Sequence, residues 1–374
     1  MYDVAILGGG LAGLASAIGL SKAGISVVLI EKNRYPFHRV CGEYVSLETL
    51  NYLKALGFDP FAAGAAHLKR LQVSAPSGNT LECNLDLGGF GLSRYRFDLE
   101  LVQLAQAAGA TLHTREKVNA VDPNGNGYRI KTSEREISAR IVIGAFGKRS
   151  TLDKSLERSF LQKRSPYVGI KYHIHYDQED DLIALHNFKD GYCGISRIED
   201  EKYCLCYLAQ NRHLKRLRSI PEMEKQMLRT NPHLDRIFVK AEFLWKRPVV
   251  INEVSFAPKP LLEQGIFTCG DAAGMIAPLC GNGMAMALHG ASLLTGLLVD
   301  HFSGRLSISE LEQRYVKEWR ALFALRLQVG RNVQQLFGAP VTTEWVVRLF
   351  KALPPLTRAV MKQTHGKSFE AFAY

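Results

Sequence analysis

No Cys-x-x-Cys pair occurs in the chain, and its seven cysteines lie scattered at positions 41, 83, 193, 204, 206, 269 and 280. An odd, dispersed set of this kind excludes a disulfide framework and a zinc site, so no metal is expected and a reducing cytoplasm is the expected compartment. No internal repeat and no low-complexity stretch interrupts the 374 residues, which excludes solenoid and disordered classes. Acidic residues are in deficit, 36 against 47 lysines and arginines, for a formal net charge of +11. That balance reads first as solvated basic faces, and otherwise favours acidic substrates or peripheral attachment to an anionic membrane surface. No nucleic-acid-binding motif accompanies it, so no specific nucleic acid is expected. The apolar N-terminus lacks a basic leader and a cleavage site, and is read as the first strand and helix rather than as a signal peptide. The uncharged run Ala272 to Val299 is broken by Pro278, Gly281, Asn282 and Gly283; the apolar helix that remains is too short to span a bilayer and is expected to be buried. A hydrophobic content of 47% and a charged content of 22% fit a globular protein, and the length calls for two domains, interleaved along the chain.

What is present begins at the first residue. Tyr2 to Leu7 is a short apolar run, and Gly8, Gly10 and Gly13 follow in G-x-G-x-x-G spacing. Helical periodicity then runs from Leu11 to Ala23, with small residues Ala12, Ala15, Ser16 and Ala17 on the side that must lie close to a sheet. Gly8 allows the tight strand-to-helix turn, Gly10 lets the backbone approach a pyrophosphate, and Gly13 lets helix and strand pack closely. The unpaired N–H groups of the helix N-terminus face the phosphates. Gly24 closes the helix, Ile25 to Ile30 forms a second strand, and Glu31 stands at its end, where a carboxylate accepts hydrogen bonds from a ribose diol and disfavours a 2′-phosphate. This pocket therefore takes FAD or NAD(H), not NADP(H).

Farther along, a helix is expected from about Ser46 to Leu56, strands within Leu68 to Leu92, and a helix over Phe97 to Ala108. Thr111 to Val121, Gly127 to Thr132 and Glu136 to Ile143 read as strands, with Asn124-Gly125-Asn126-Gly127 as a hairpin turn. Strands at 167–176, 182–188, 192–198 and 203–209 precede a polar helix from Pro221 to Thr230. A short strand lies within Leu261 to Cys269, and helices cover Met284 to His301, Ser309 to Phe337 and Thr342 to Lys362. The expected organisation is a cofactor domain from 1–70, 97–155 and 255–300, a substrate domain from 71–96 and 156–254, and a helical region over 301–374. The stripe Leu322, Leu325, Leu336, Trp345, Leu349 and Leu353 in that last region is expected to pack on the core as a helical cap.

The run Ile266 to Gly274 is an apolar strand leading into Gly270-Asp271 and small residues. An aspartate there can hold ribityl hydroxyls of a flavin, and the segment from Pro278 to Gly283 leaves backbone N–H groups free at a second helix N-terminus, where negative charge developing on a reduced ring is stabilised. A nicotinamide dehydrogenase has no use for such a feature, which decides for FAD.

On these residues the chain resembles the FAD-dependent oxidoreductases of the para-hydroxybenzoate hydroxylase-like fold, and among them the geranylgeranyl reductase family. The matching residues are Gly8 to Gly13 with Glu31, Cys41-Gly42-Glu43, Arg94-Tyr95-Arg96-Phe97-Asp98, Gly144 to Ser150 and Gly270 to Gly283. The resemblance implies an α/β fold, a Rossmann-like FAD-binding domain with a central parallel sheet and a βββ meander, interleaved with an antiparallel-sheet substrate domain and followed by C-terminal helices. The implied cofactor contacts are Gly8, Gly10, Leu11, Ala12, Gly13, Glu31 and Lys32 at the adenosine end, with Val118 against the adenine through its backbone; Arg94 near the ribityl or phosphate part; Cys41 at the flavin ring; Asp271, Pro278, Gly281, Asn282, Gly283 and Met284 at the flavin end; and Gly42 and Gly147 beside them. Arg96 competes with Arg94 for its role. Cys41, facing the ring in those reductases, is the catalytic candidate, with Glu43, His38 and Tyr44 nearby as acid/base groups. Phe146-Gly147 stands where related hydroxylases carry Asp-Gly, leaving open the external electron donor, NAD(P)H among the options. The family's aromatic strand is replaced by Tyr192 to Arg197, and the tryptophan motif of flavin halogenases is absent. The expected activity is reduction of a double bond in an apolar or aromatic small molecule, isoprenoid- or polyketide-like. The alternatives are a flavin monooxygenase hydroxylating an aromatic or polyketide-like substrate, and a flavin-binding redox-partner or membrane-associated module.

Overall fold

The computed structural model describes residues 1–158, 160, 166–252, 254–337 and 339–370. In chain order its elements are β1 (Tyr2–Leu7), α1 (Leu11–Lys22), β2 (Val27–Glu31), β3 (Tyr44–Ser46), α2 (Leu50–Leu56), β4 (Ala66–Ser74), β5 (Thr80–Gly91), α3 (Arg94–Ala107), β6 (Thr111–Thr114), β7 (Val118–Asn124), β8 (Gly127–Thr132), β9 (Glu136–Gly144) and α4 (Leu152–Ser155). They continue with β10 (Tyr167–His175), β11 (Leu182–Phe188), β12 (Gly191–Arg197), β13 (Tyr203–Gln210), α5 (Asn211–Leu217), α6 (Ile220–Met227), α7 (Pro232–Lys240), β14 (Glu242–Phe243), β15 (Val249–Asn252), β16 (Leu262–Glu263), β17 (Ile266–Thr268), α8 (Gly283–Phe302), α9 (Ile308–Leu336), α10 (Pro340–Ala352) and α11 (Pro354–Thr364).

The first sheet has the order β16-β17-β9-β1-β2-β6, and its strands from β17 to β6 run parallel. Parallel strands are covered on both faces, which is why these segments read as continuous apolar runs. Val4, Ile6, Val27 and Leu29 turn to one face, under α1, α3, α8 and α9. Ala5, Leu7, Val28 and Ile30 turn to the other, under the β7-β8 hairpin, which pairs antiparallel onto β9 to complete the expected meander. α8 alone among the described helices is long and apolar enough to cross a membrane, but its most apolar stretch is 72% buried and it packs as a core helix.

The second sheet has the order β14-β10-β13-β12-β11-β4-β5-β3, with β15 also paired to β10; among these neighbours only β11 and β4 run parallel. Two of its strands begin inside the segment 1–70 assigned from sequence to the cofactor domain. β3 pairs with β5, and β4 starts at Ala66, so the chain enters this sheet earlier than the boundary at residue 71. Period-two alternation gives the sheet two unlike faces. Val168, Ile170, Tyr172, Ile195, Leu205 and Tyr207 pack beneath α6 and α7. Lys171 and His173 of β10 lie in register with Cys206 and Cys204 of β13 on the opposite face, toward the first sheet. This face meets the loop that carries Cys41 and Glu43.

The C-terminal region corrects one expectation. Of the stripe read as packing on the core, only Leu322 is part-buried there; Leu325, Leu336, Trp345, Leu349 and Leu353 are exposed, Trp345 to 67%. The inner face of α9 is instead Leu311, Tyr315, Trp319 and Phe323. The segment expected as one helix over 342–362 is two, broken where Pro354 and Pro355 cannot continue the ladder of α10. The remainder of the substrate-domain and C-terminal assignments, at 159, 161–165, 253, 338 and 371–374, lies outside the described residues.

Candidate functional site

At the adenosine end, backbone geometry dictates the glycines. Gly8 has φ +111°, and a Cβ there would run into the Ala145 backbone; one at Gly13 would run into the Gly8 carbonyl. Gly10 differs, since the nearest atom to a Cβ there is an Arg94 guanidinium nitrogen at 3.9 Å. Its outer side is open, and α1 starts from it with no side-chain cap, so the first N–H groups of Leu11, Ala12 and Gly13 are left for a ligand.

Around that opening the side chains are charged and fixed. Glu31 Oε2 accepts the Gly9 N–H at 3.0 Å, while Oε1 accepts the Asn33 N–H at 3.0 Å and its side-chain amide at 2.8 Å. Arg39 donates to the Gly9 carbonyl at 3.0 Å and reaches Glu31 at 3.3 Å. Asp98, buried, takes Arg39 at 2.9 Å and Arg94 in a two-pronged grip at 2.7 and 2.9 Å. The competing Arg96 turns outward to Asp200, which leaves Arg94 at the glycine turn. Two guanidinium groups beside an uncapped helix N-terminus suit a diphosphate. Arg39 and Asp98 were missed as a pair because their contact joins residues 59 positions apart. Lys32 is exposed beside Glu31, and Val118 opens β7 opposite Thr132.

The reacting end is assembled from the other matched segments. Gly270 fits against α1, where its Cβ would lie 3.0 Å from that of Ala12. Asp271 caps no helix by its side chain; the residue preceding its turn is Cys269. Its carbonyl accepts Lys259 Nζ at 2.7 Å, and the same ammonium donates to the Lys148 carbonyl at 2.9 Å. Gly147 holds the turn after β9 at φ +80°. The turn from Pro278 through Gly281, at φ +67°, delivers Asn282 to the start of α8, again without a side-chain cap from that residue. Met284, one residue into α8, lies with its sulfur 3.5 Å from Cys41 Sγ across 243 positions.

Around Cys41 the electrostatics are mixed. Burial pushes its thiol up, opposed by the Arg94 charge and by the Glu43 backbone N–H, so it holds its proton at neutral pH. Lys148, which sequence reading passed over, is pushed down by burial while Asp271 opposes the change. Cys204 Sγ donates to the Cys41 carbonyl at 3.3 Å, and Ser196 reaches the Gly42 carbonyl. The alternating Cys204 and Cys206 therefore share the face toward this loop.

Beneath the loop lies a buried ionic cluster. Glu43 adopts φ +57°, and its fully buried carboxylate accepts Lys171 Nζ at 2.5 Å, the Arg94 N–H at 2.7 Å and His173 Nε2 at 2.7 Å. Burial would push this carboxyl up, but the Lys171 charge and the His173 hydrogen bond outweigh it and hold it down to about 2. The ligating atoms of Glu43, His173 and Cys204 fall within 4.8 Å of one another, a spacing open to a metal. With the Lys171 ammonium already on the carboxylate, an added divalent cation would meet an uncompensated buried charge, so the cluster fits an ion-paired network better. His289, in contrast, stacks on Phe369 at 3.9 Å and meets Phe323 edge-on; burial pushes it down to about 4, as for a neutral core histidine.

Comparison with known proteins bears on this arrangement. Residues 1–327 match the family model described as FAD binding domain. Digeranylgeranylglycerophospholipid reductase of Methanoculleus marisnigri is 27% identical over 335 residues, covering 86% of this chain and 82% of that protein. Among solved structures, a geranylgeranyl bacteriochlorophyll reductase-like protein from Thermoplasma acidophilum superposes with a TM-score of 0.76 at 19% identity, covering 97% and 96% of the two chains. A flavin-dependent brominase superposes at 0.80, also at 19% identity, covering 99% and 94%. The two structures support the fold alone.

Proposed function

From the premise that this chain belongs to the FAD binding domain family, we propose that it is a reductase or dehydrogenase acting on a double bond of an apolar, isoprenoid- or polyketide-like substrate. That it is an FAD-dependent oxidoreductase is common ground; the reaction is the proposal. FAD fits the residues present: Gly10 leaves a cradle, α1 and α8 begin uncapped by side chains, and Arg39 and Arg94 carry the charge a diphosphate needs. When bound and reduced, the flavin supplies a hydride.

The single observation that carries the reading is the place of Cys41, whose Sγ lies 3.5 Å from the Met284 sulfur at the start of α8, with burial pushing the thiol up. The thiol holds the proton that completes reduction of the double bond. The thiolate left behind is favoured by Arg94 and by the Glu43 N–H, which makes the donation reversible from cycle to cycle. Lys148 and Asp271 flank the same end with opposite charges. Phe146, packed near Arg158 rather than offering a carboxylate, favours an electron donor that does not depend on the hydroxylase route.

An apolar substrate of this class is met at a lipid surface, and we assign α10 and α11 to an anionic bilayer. Val341, Trp345, Leu349, Leu353 and Leu356 are all at least 39% exposed, interleaved with Arg348, Lys351, Arg358 and Lys362. Glu344 is the sole acid from Pro340 to Lys362. Exposed tryptophan and leucine beside cations is the composition of an interfacial helix. The protein would then work in the cytoplasm, on the membrane face. The reaction is tested by anaerobic single turnover of the reduced holoenzyme with an unsaturated isoprenoid lipid. Saturated product without oxygen supports the reading; turnover only once labelled dioxygen is admitted, with its atom in the product, would move the enzyme to the monooxygenases.

A further inference from the structure

We propose that Glu43, Lys171 and His173 form a buried proton relay that reloads Cys41, with Glu43 as a positioning residue and His38 as its link to the surface. The inference rests on the reading of Cys41 as proton donor. Three observations carry it. The first is the burial of opposite charges: the side chains of Glu43 and Lys171 are both 0% exposed, and burying such a pair gains little stability over apolar packing. The second is aim. Lys171 and His173 alternate on β10 opposite Cys206 and Cys204, Cys204 holds the Cys41 carbonyl, and Glu43 follows Cys41 by two residues in a left-handed conformation that presents its carboxylate to both cationic partners. The third is a path outward. The His173 ring meets His38 edge-on at 5.2 Å and Trp245 at 4.5 Å; His38 stacks on Tyr95 at 4.6 Å, and Tyr95 is 40% exposed. Nδ1 of His38 is buried with no hydrogen-bond partner among the described residues.

With Glu43 ionised, His173 donates Nε2–H to Oε2, and the carboxylate fixes the ring's tautomer. In each cycle the Cys41 S–H bond breaks as a C–H bond forms on the substrate. The thiolate then takes a proton passed inward from water by His38 and His173, so the relay ends as it began. Burial pushes His38 down to about 4, so its ring stays neutral and hands a proton on from one nitrogen as it takes one from solvent at the other, without storing charge. The charged groups facing the cluster are Arg94 from α3, Lys171 itself, Lys148 after β9 and, at His38, Lys202 before β13; Cys204 and Cys206 on β13 are the titratable neighbours.

The test uses the FAD-loaded protein and reads the rate of Cys41 alkylation by iodoacetamide against pH, by peptide mass spectrometry, alongside turnover. E43Q removes a negative charge near the thiol, so at neutral pH Cys41 should alkylate several-fold faster; E43Q/K171M, neutral overall and safer to fold, should return the rate toward that of the unaltered protein while turnover stays down by about tenfold or more. H38A should lose turnover that added imidazole restores. Equal alkylation profiles in all variants with normal FAD content, or no imidazole rescue, would overturn the relay. Full turnover in C41S would overturn the donor reading instead, and leaves the alkylation result to be judged separately.

Discussion

The two ends of the site are built by different means. At the adenosine end, a glycine turn, a helix start and Glu31 lie within the first 31 residues, and the work is done by backbone: a Cβ is excluded at Gly8 and Gly13 and the N-terminus of α1 is left open. At the reacting end, Cys41 meets Met284 across 243 positions and Glu43 meets Lys171 and His173 across 128 and 130. There the work is done by side chains from two sheets. A backbone-built pocket announces its ligand in a local pattern; a pocket built from side chains is defined by pairings that only the fold creates. On the proposed function, the first kind fixes the cofactor, and the second decides what is done with it.

Substitutions can break that contrast at either end. The largest effect is expected from G13A, where the new methyl meets the Gly8 carbonyl and Ile6: about 3 kcal/mol of stability lost and flavin absent from the purified protein, checked by melting and by absorbance. C41S should keep its flavin while single-turnover product formation falls about 100-fold; loss of flavin in this variant would merge the two ends into one function. E31A should loosen FAD by about tenfold, equivalent to about 1.4 kcal/mol, in a fluorescence titration of the apoprotein. Acid should act both in α8 and in the second sheet. His289 and His186 are held down to about 4 and about 3 by burial, so the unfolded chain binds protons first. Their contribution is intact above about pH 6.5 and fades as pH falls below it. Glu43, held at about 2 against an ordinary 4.5, adds stability that is lost only as pH falls from about 4.5 toward 2. Chemical denaturation between pH 8 and 4 checks the first window, with H289F flattening part of it. The smallest effect on stability, within about 0.5 kcal/mol, is expected for W345E, because Trp345 is exposed; the same change should abolish sedimentation with anionic vesicles and leave FAD content unchanged.

The legibility of the fold follows the same division. The fingerprint, the parallel strands and the β7-β8-β9 meander were plain in the sequence because each is local or periodic. The strands of the second sheet were legible too, but not their order, in which β4 pairs with β11 across more than a hundred residues. α5 and α7 went unseen beside the polar helix between them, being only 7 and 9 residues long. The outward face of α10 was misjudged because amphipathicity gives an apolar stripe without saying what covers it. Arg39, Lys148, Lys171 and His173 carried no signal at all: a lysine in a strand reads as solvent-facing, and only the register that sets Lys171 against Cys206 and beneath Glu43 explains its burial.

The most direct measurement is anaerobic reoxidation of the dithionite-reduced holoenzyme by an unsaturated isoprenoid lipid presented in anionic vesicles, followed by flavin absorbance and product mass. The expected result is recovery of the oxidised flavin spectrum with one equivalent of product two hydrogens heavier, and its loss in C41S at unchanged flavin content. A spectrum that recovers only on admitting dioxygen, with oxygen in the product, would contradict the account.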